Sequence, residues 1–320
     1  MTSLQPTAAP ARPFLDWPVM TDPAGWQADV ALLGIQHSEP YAHDTFPNDQ
    51  SRAPDAIRRM SQSFCYNPAH WDFDTGTDLA SNLPARHIDI GNAAWSGQGD
   101  YGDYAAAITA RVRHLWQQGA QLIVLGGDHG VTIPVVDALD AIGQPVHILH
   151  IDAHLDWREE VGGVRRGYSS PLQWASKNQA VSGMTQIGLR AIGSARSREV
   201  NAARAFGSHL IGAEQIHAEG IEPVLATIPQ GQPVYLTIDA DGLDPTECPA
   251  VMAPTPGGIY FRQLAPLIRS VARSNRIVGM DIVEIAPSFD FANGLTCITA
   301  GRLILNVLAA SWSEGGAYRA

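Results

Sequence analysis

The chain has 320 residues, of which 45% are hydrophobic, so it is long enough to bury one large core. Its 21 basic and 32 acidic residues leave a net charge of −11. This balance argues against nucleic acid or an anionic membrane as the main partner, because both require clustered Lys and Arg. Only 17% of the residues are charged, which indicates that much of the surface is hidden in a core or in subunit contacts.

Cysteine usage and the N-terminal sequence bear on the compartment. Cys65, Cys248 and Cys297 are far apart and odd in number, which predicts a reducing compartment without a disulfide framework. The first twenty residues lack the continuous apolar stretch of a secretion signal, and we find no run of the about 18 apolar residues that a membrane span needs. We therefore expect a cytoplasmic protein.

The predicted elements alternate along the chain. Residues 1–27 are rich in Pro, Ala and Thr without periodicity, which predicts an extended arm ahead of a single domain over 28–320. Near-continuous apolar runs predict strands buried on both faces at 30–34, 121–125, 146–151, 234–238 and 276–280. Helical patterns occur at 54–63, 104–118, 197–206, 261–274 and 299–313. This alternation predicts a three-layer α/β/α sandwich with a mainly parallel central sheet.

Polar motifs follow three of the predicted strands at the point where each strand ends. In open parallel sheets, ligands bind outside the carboxyl ends of the strands. The motifs GGDHG, DAHLD and DADGLDP bring six candidate metal ligands to that edge: His129, Asp152, His154, Asp156, Asp239 and Asp241.

Metal ions would explain this collection of charges. Four carboxylates packed together are costly unless cations compensate them. Mixed carboxylate and imidazole ligands suit first-row metals such as Mn²⁺ or Ni²⁺ better than Ca²⁺. Each motif alone would be an ordinary loop, turn or cap signal. Their joint occurrence at three strand ends favours a site for two divalent ions.

At these residues the sequence closely resembles the arginase/agmatinase (ureohydrolase) family, from about residue 29 to residue 309. The resemblance implies the arginase-like fold, two Mn²⁺ or, in some members, Ni²⁺, and assembly as a homo-trimer or homo-hexamer. It assigns one ion to four ligands: His129, Asp152, Asp156 and Asp239. It assigns the other ion to Asp152, His154, Asp239 and Asp241, so that two aspartates bridge the ions.

The resemblance also places a substrate-orienting carboxylate at Glu284, in GMDIVEIAP. Such a group can pair with a planar guanidinium and orient it for attack. Two metals sharing one water would lower its pKa and leave a hydroxide aimed at the guanidino carbon. Asp156, beside that water, is the expected proton carrier to the departing amine. The products would be urea, or a substituted urea or amide, and an amine or ammonia.

Three segments depart from the family pattern. YSSP places Tyr168 where most members carry a histidine, and a tyrosine titrating near pH 10 is a poor proton shuttle, so Tyr168 is a candidate for catalysis or substrate contact. PAVMAP places Met252 either against a small or apolar substrate or in a core gap. The segment after the first strand forms either a solvated loop or a rim suited to a cationic substrate, with four candidate residues: His37, Glu39, His43 and Asp44.

His150, just before DAHLD, is either a substitute for the missing histidine or a packed strand residue. We expect a hydrolase of a guanidino C–N bond with a small cationic substrate, agmatine by default. Guanidinobutyrate is disfavoured, because only Arg165 and Arg166 offer a basic pair for its carboxylate.

Three alternatives stay open. The first is a hydrolase of guanidine, methylated guanidines or a metformin-type biguanide, which would be nickel-dependent and one subunit of a hetero-oligomer. The second is a non-catalytic helper subunit of a paralogous hydrolase. The third is a deacetylase of the related single-zinc fold. Six metal ligands together with Glu284 argue against the second and third.

Overall fold

The computed structural model describes residues 4–42, 44, 46, 48–98 and 100–319. Its strands are β1 (Val30–Gln36), β2 (Trp71–Asp72), β3 (Thr77–Asp78), β4 (His87–Ala94), β5 (Gln121–Leu125), β6 (Val146–Ile151), β7 (Val181–Leu189), β8 (His209–Gly212), β9 (Val234–Asp239) and β10 (Ile277–Val283). Eight of them form one parallel sheet in the order β4-β1-β5-β10-β9-β6-β7-β8. The remaining two, β2 and β3, form a small antiparallel hairpin.

Helices cover both faces of the sheet. They are α1 (Ala53–Phe64), α2 (Tyr101–Gln117), α3 (Thr132–Val136), α4 (Pro171–Ala175), α5 (Ser197–Phe206), α6 (Ala213–Glu219), α7 (Glu222–Leu225), α8 (Phe261–Ser274) and α9 (Leu295–Trp312). Strand side chains alternate between two cores: Ile123 of β5 packs with residues of α1, α8 and α9, whereas Val124 packs with residues of α2 and α3. The predicted three-layer α/β/α sandwich is therefore confirmed.

The N-terminal segment lies on this body. Residues 4–27 contain two short 3₁₀ turns, Phe14–Asp16 and Pro23–Gly25. The side chains of Phe14, Trp17 and Trp26 are buried. The backbone of Ala8 pairs with Asn92 in β4. We propose that residue 27 marks the end of an extended arm along the chain. It does not mark the end of a separate structural unit, because the arm shares the hydrophobic core of the domain.

The last helix, α9, meets the length and composition criterion for a membrane span, with a mean hydropathy of 1.4 over 18 residues. The helix is nevertheless 78% buried within the fold. Its side chains pack into the core beside those of α1 and α8. It is therefore a buried core helix of this fold.

Candidate metal centre

The carboxyl ends of four strands meet at the centre of one sheet edge. In the sheet order, β5, β10, β9 and β6 are consecutive neighbours. Each of the three predicted motifs follows one of these strands, and Glu284 follows β10. Six side chains at this edge are at most 9% exposed: His129, Asp152, Asp156, Asp239, Asp241 and Glu284. Parallel strand order thus brings distant parts of the chain into one buried cluster.

One group of candidate ligands surrounds His129. Its Nδ1 lies 3.0 Å from Asp156 Oδ2, 3.2 Å from Asp239 Oδ2 and 3.4 Å from Asp152 Oδ2. Its Nε2, on the other side of the ring, lies 3.0 Å from Thr237 Oγ1. We assign Nε2 as the donor here, because the Thr237 hydroxyl itself donates to Asp281. Nδ1 is therefore the nitrogen that faces the carboxylates.

A second group forms around His154. Its Nδ1 lies 3.2 Å from Asp241 Oδ2 and 3.4 Å from Asp152 Oδ1. The two oxygens of Asp152 therefore face different histidines, Oδ2 towards His129 and Oδ1 towards His154. This is the arrangement of a carboxylate that can serve two ions at once. Asp239 contacts His129, and its other oxygen accepts a hydrogen bond from the backbone N–H of Asp241.

The electrostatics of the cluster call for added positive charge. Burial, together with the charges of Asp241 and Asp152, raises the pKa of Asp239 well above its ordinary value. Burial lowers the pKa of His154, but hydrogen bonds to Asp152 and Asp241 outweigh this and raise it to about 12. Protons are thus drawn into the cluster. Divalent cations would take their place, and a donor set of carboxylate oxygens and imidazole nitrogens fits first-row metals.

Two cluster residues have strained backbones. Asp156 has φ 50° and Glu284 has φ 65°, a region that residues with side chains rarely adopt. The Glu284 backbone is held by its N–H, which donates to Gly127 O at 2.8 Å. No other residue can replace Gly127, because a Cβ at this position would clash with the backbone carbonyl of His37. Such strain persists only where the surrounding structure imposes it.

The carboxylate of Glu284 is held on both oxygens. Oε1 accepts a hydrogen bond from the backbone N–H of His129 at 2.7 Å. Oε2 accepts one from the side-chain amide of Gln50, a buried residue in the segment that connects β1 to α1. Gln50 was not among the predicted site residues, because a glutamine just before a helix carries no local signal of a remote partner.

A cavity of about 360 Å³ opens above the cluster. Five cluster residues form its floor: His154, Asp156, Asp239, Asp241 and Glu284. Its walls come from loops and include Tyr41, Asp44, Phe46, Gln50, Arg158, Tyr168 and Met252. The structure therefore brings two predicted substrate contacts, Tyr168 and Met252, to the same cavity as Glu284.

Tyr168 is held in the cavity wall by the segment after β1. Its hydroxyl lies 3.0 Å from each carboxylate oxygen of Asp44, and its ring lies on that of Tyr41 with centroids 4.1 Å apart. Burial and the hydrogen bond to Asp44 raise the pKa of Tyr168 above its ordinary value. The phenol consequently remains a protonated hydrogen-bond donor at neutral pH.

Two other predicted substrate contacts do not line the cavity. His37 is 5% exposed and points among the aromatic rings of Trp95, Tyr101 and Tyr104, where burial lowers its pKa to about 4. Glu39 is exposed, and only its backbone N–H reaches the cluster region. Side chains alternate in direction along the segment that leaves β1, and those of His37 and Glu39 point away from the cavity. His43 lies outside the described residues.

The architecture and the cluster define a class of protein: an α/β/α hydrolase with a carboxylate–imidazole site for divalent metals at the carboxyl edge of its sheet. A family model described as the Arginase family matches residues 28–310, and the chain belongs to this family. The predicted arginase/agmatinase resemblance is thereby confirmed. The chain is a hydrolase that acts on amidine C–N bonds.

Individual relatives support this assignment. The agmatinase of Chromobacterium violaceum is 30% identical over 287 residues, which cover 88% of this chain and 83% of that protein. The N(1)-aminopropylagmatine ureohydrolase of Thermus thermophilus is 35% identical over 208 residues, 64% of this chain and 67% of that protein. Among solved structures, the proclavaminate amidino hydrolase from Streptomyces clavuligerus superposes with a TM-score of 0.79 at 24% identity, covering 96% of this chain and 98% of the other. This last likeness concerns the fold alone.

Proposed function

We propose that the protein hydrolyses a guanidino C–N bond and releases urea, or a substituted urea or amide, and an amine. The observation that carries the proposal is the placement of Asp152, whose two oxygens face two histidine-containing groups beneath a cavity shared with Glu284. Asp152 would bridge two divalent ions, Mn²⁺ or Ni²⁺, and Asp239 would be the second bridge.

The remaining ligands divide between the two ions. His129 and Asp156 would complete the first site, and His154 and Asp241 the second. When bound, the two ions would lower the pKa of a shared water towards neutrality. Asp156 lies at the cavity floor next to His129. From this position it would take up the proton of the attacking water and deliver it to the departing nitrogen.

Glu284 would hold the substrate. Each of its carboxylate oxygens already accepts one hydrogen bond, from His129 N–H and from Gln50. A carboxylate oxygen has a second lone pair, so both oxygens can also accept the parallel N–H groups of a guanidinium. Because the carboxylate is restrained on both sides, it would hold the guanidino carbon over the cluster floor at little entropic cost.

The cavity walls favour a substrate without a carboxylate. Among the described wall residues the cation is Arg158, and it lies 3.6 Å from Glu199 and donates to Ser194 O at 3.0 Å. Asp44 and Tyr168 add a negative charge and a hydroxyl to the lining. Agmatine, with a cationic tail, suits these walls and is the proposed substrate. The agmatinase and aminopropylagmatine ureohydrolase relatives support it.

Apolar wall residues keep a second candidate open. Tyr41, Phe46 and Met252 offer apolar surface close to the polar floor. A methylated guanidine or a metformin-type biguanide would bury its methyl groups there. An enzyme for such a substrate would be nickel-dependent and one subunit of a hetero-oligomer. Assembly as a homo-trimer or homo-hexamer and a cytoplasmic location remain our proposals for the agmatine case.

A substrate panel tests both candidates. Urea and amine release should be measured with the protein loaded separately with Mn²⁺ and Ni²⁺. Agmatine and guanidinobutyrate form the matched pair, since they carry an amine or a carboxylate on similar chains. We expect agmatine to be preferred by at least about tenfold, the effect of about 1.4 kcal/mol. Turnover only of small alkylated guanidines would select the second candidate, and no turnover of any guanidine by a metal-loaded protein would contradict the proposal.

A further inference from the structure

A buried histidine lies directly behind the proposed bridging ligand. His150, in β6, is fully buried, and its Nε2 lies 2.9 Å from Asp152 Oδ2. Its ring lies among the first group of candidate ligands, and the ring centroids of His150 and His129 are 5.3 Å apart. Proximity alone would allow three roles for His150: a further metal ligand, a proton carrier, or a hydrogen-bond donor to Asp152.

The hydrogen bonds on the other side of the ring distinguish these roles. His150 Nδ1 lies 3.0 Å from the side-chain nitrogen of Gln186, in β7. The same nitrogen donates to Leu155 O at 2.9 Å, and the amide oxygen of Gln186 accepts from the Ser208 hydroxyl at 3.0 Å. A backbone carbonyl can only accept, so Leu155 determines which end of the amide faces it.

This orientation assigns the tautomer of His150. One amide hydrogen of Gln186 points at Leu155 O and the other at His150 Nδ1, so Nδ1 must be an unprotonated acceptor. The ring proton then resides on Nε2 and is donated to Asp152 Oδ2. A nitrogen that carries this proton has no free lone pair for a metal ion. A ring protonated on both nitrogens would set an N–H against the amide N–H of Gln186.

We infer that His150 is a positioning residue that holds Asp152, and that it is neither a metal ligand nor a proton carrier. The inference rests on the proposed function, because it takes Asp152 as the shared ligand. Both oxygens of Asp152 are then fixed: Oδ2 by His150, and Oδ1 by the backbone N–H of His154 at 2.6 Å. Each oxygen keeps a lone pair directed at one of the two histidine-containing groups.

The chain of hydrogen bonds reaches to the edge of the sheet. It begins at Ser208, just before β8, and passes through Gln186 in β7 and His150 in β6 to Asp152. All four side chains are buried, so water does not compete for these bonds. Groups of this kind typically contribute about 10–100-fold to metal affinity or activity.

Two substitutions at one position separate the roles. His150→Leu removes the donor, whereas His150→Gln restores an N–H close to the position of Nε2 but offers neither a ligand nitrogen nor a transferable proton. Mn²⁺ binding to the metal-free protein should be measured by calorimetry, bound metal by elemental analysis, and turnover on the best guanidine of the panel. We expect His150→Leu to lose about 10–100-fold in Mn²⁺ affinity. We expect His150→Gln to recover most of that loss, with two ions per chain and turnover within a few-fold of the unmodified protein.

Two results would overturn the inference. If His150→Gln binds one ion fewer than the unmodified protein, His150 is a ligand. If it binds two ions but loses turnover, His150 carries a proton. Should His150→Leu fail to fold by circular dichroism, His150→Gln still decides: two ions per chain with turnover within a few-fold support the inference, and one ion fewer or lost turnover contradicts it.

Failure of the proposed function would look different: the unmodified protein would bind Mn²⁺ but hydrolyse no guanidine, and the affinity comparison of the variants would still be decisive.

Discussion

The floor and the walls of the cavity are built in different ways. The floor consists of side chains at the carboxyl ends of β6, β9 and β10, and its four carboxylates are buried. The walls consist of connecting segments, and some of their side chains, such as Phe46 at 68% exposed, face solvent. Rigid strand ends suit a reaction centre, and loops can vary without disturbing it. Floor substitutions should therefore change metal binding or chemistry, and wall substitutions should change substrate choice.

Removing the shared ligand should have the largest effect. We expect Asp152→Ala to lose both ions and all measurable turnover, because each histidine-containing group loses one carboxylate oxygen and the remaining charges are unbalanced. Elemental analysis and a urea assay measure this. Asp244→Asn is the matched control: Asp244 belongs to the motif DADGLDP but binds the backbone N–H groups of Gly257 and Gly258, so it should keep two ions. Two ions retained in Asp152→Ala would refute the bridging geometry.

Glu284→Gln should separate substrate binding from metal binding on the same floor. The variant keeps a hydrogen-bonding group of equal size but loses the charge that pairs with a guanidinium. We expect two ions per chain and a fall in kcat/KM of about 10²–10³-fold. A variant with fewer ions would show that Glu284 acts on the metal site instead.

Tyr168→Phe tests the wall. The ring remains on Tyr41, but the hydrogen bond to Asp44 is lost. We expect two ions, and a KM for agmatine raised about tenfold, which corresponds to the net contribution of one hydrogen bond near a charge. Methylguanidine, which has no cationic tail, is the control substrate and should be little affected. An equal loss of kcat with both substrates would place Tyr168 in the chemistry.

The last prediction concerns stability instead of activity, at a residue that the cavity does not use. Burial lowers the pKa of His37 from 6.5 to about 4, so the folded state favours the neutral ring. Its contribution is present above pH 6.5 and is lost as the pH falls towards 4, on the order of 3 kcal/mol. We expect the His37→Phe variant to lose less free energy of unfolding between pH 7 and pH 4.5 than the unmodified protein, measured by urea unfolding at both pH values. His147, with a pKa also lowered to about 4 by burial, stays in the variant and should leave part of the loss. An unchanged pH dependence would contradict the assignment.

The central strands were predictable from local patterns, and the outer ones were not. The runs at 121–125 and 146–151 coincide with β5 and β6, because these strands are apolar on both faces. The strand β4 was missed because it carries Asp89 and Asn92 in buried positions. Their burial is possible only because Arg58, in α1, binds both side chains. Likewise, β7 contains Gln186, whose partners lie in other segments.

The sequence alone determined the fold class, the family and the six candidate ligands. These depend on motifs that directly follow apolar strands and on the rule that ligands bind at the carboxyl ends of parallel strands. Tertiary structure decided the rest: that Gln50 restrains Glu284, that Tyr168 is paired with Asp44, and that His37 turns away from the cavity. Hydrogen-bond partners and cavity walls are contributed by segments far apart in the chain. No local pattern records which of them meet.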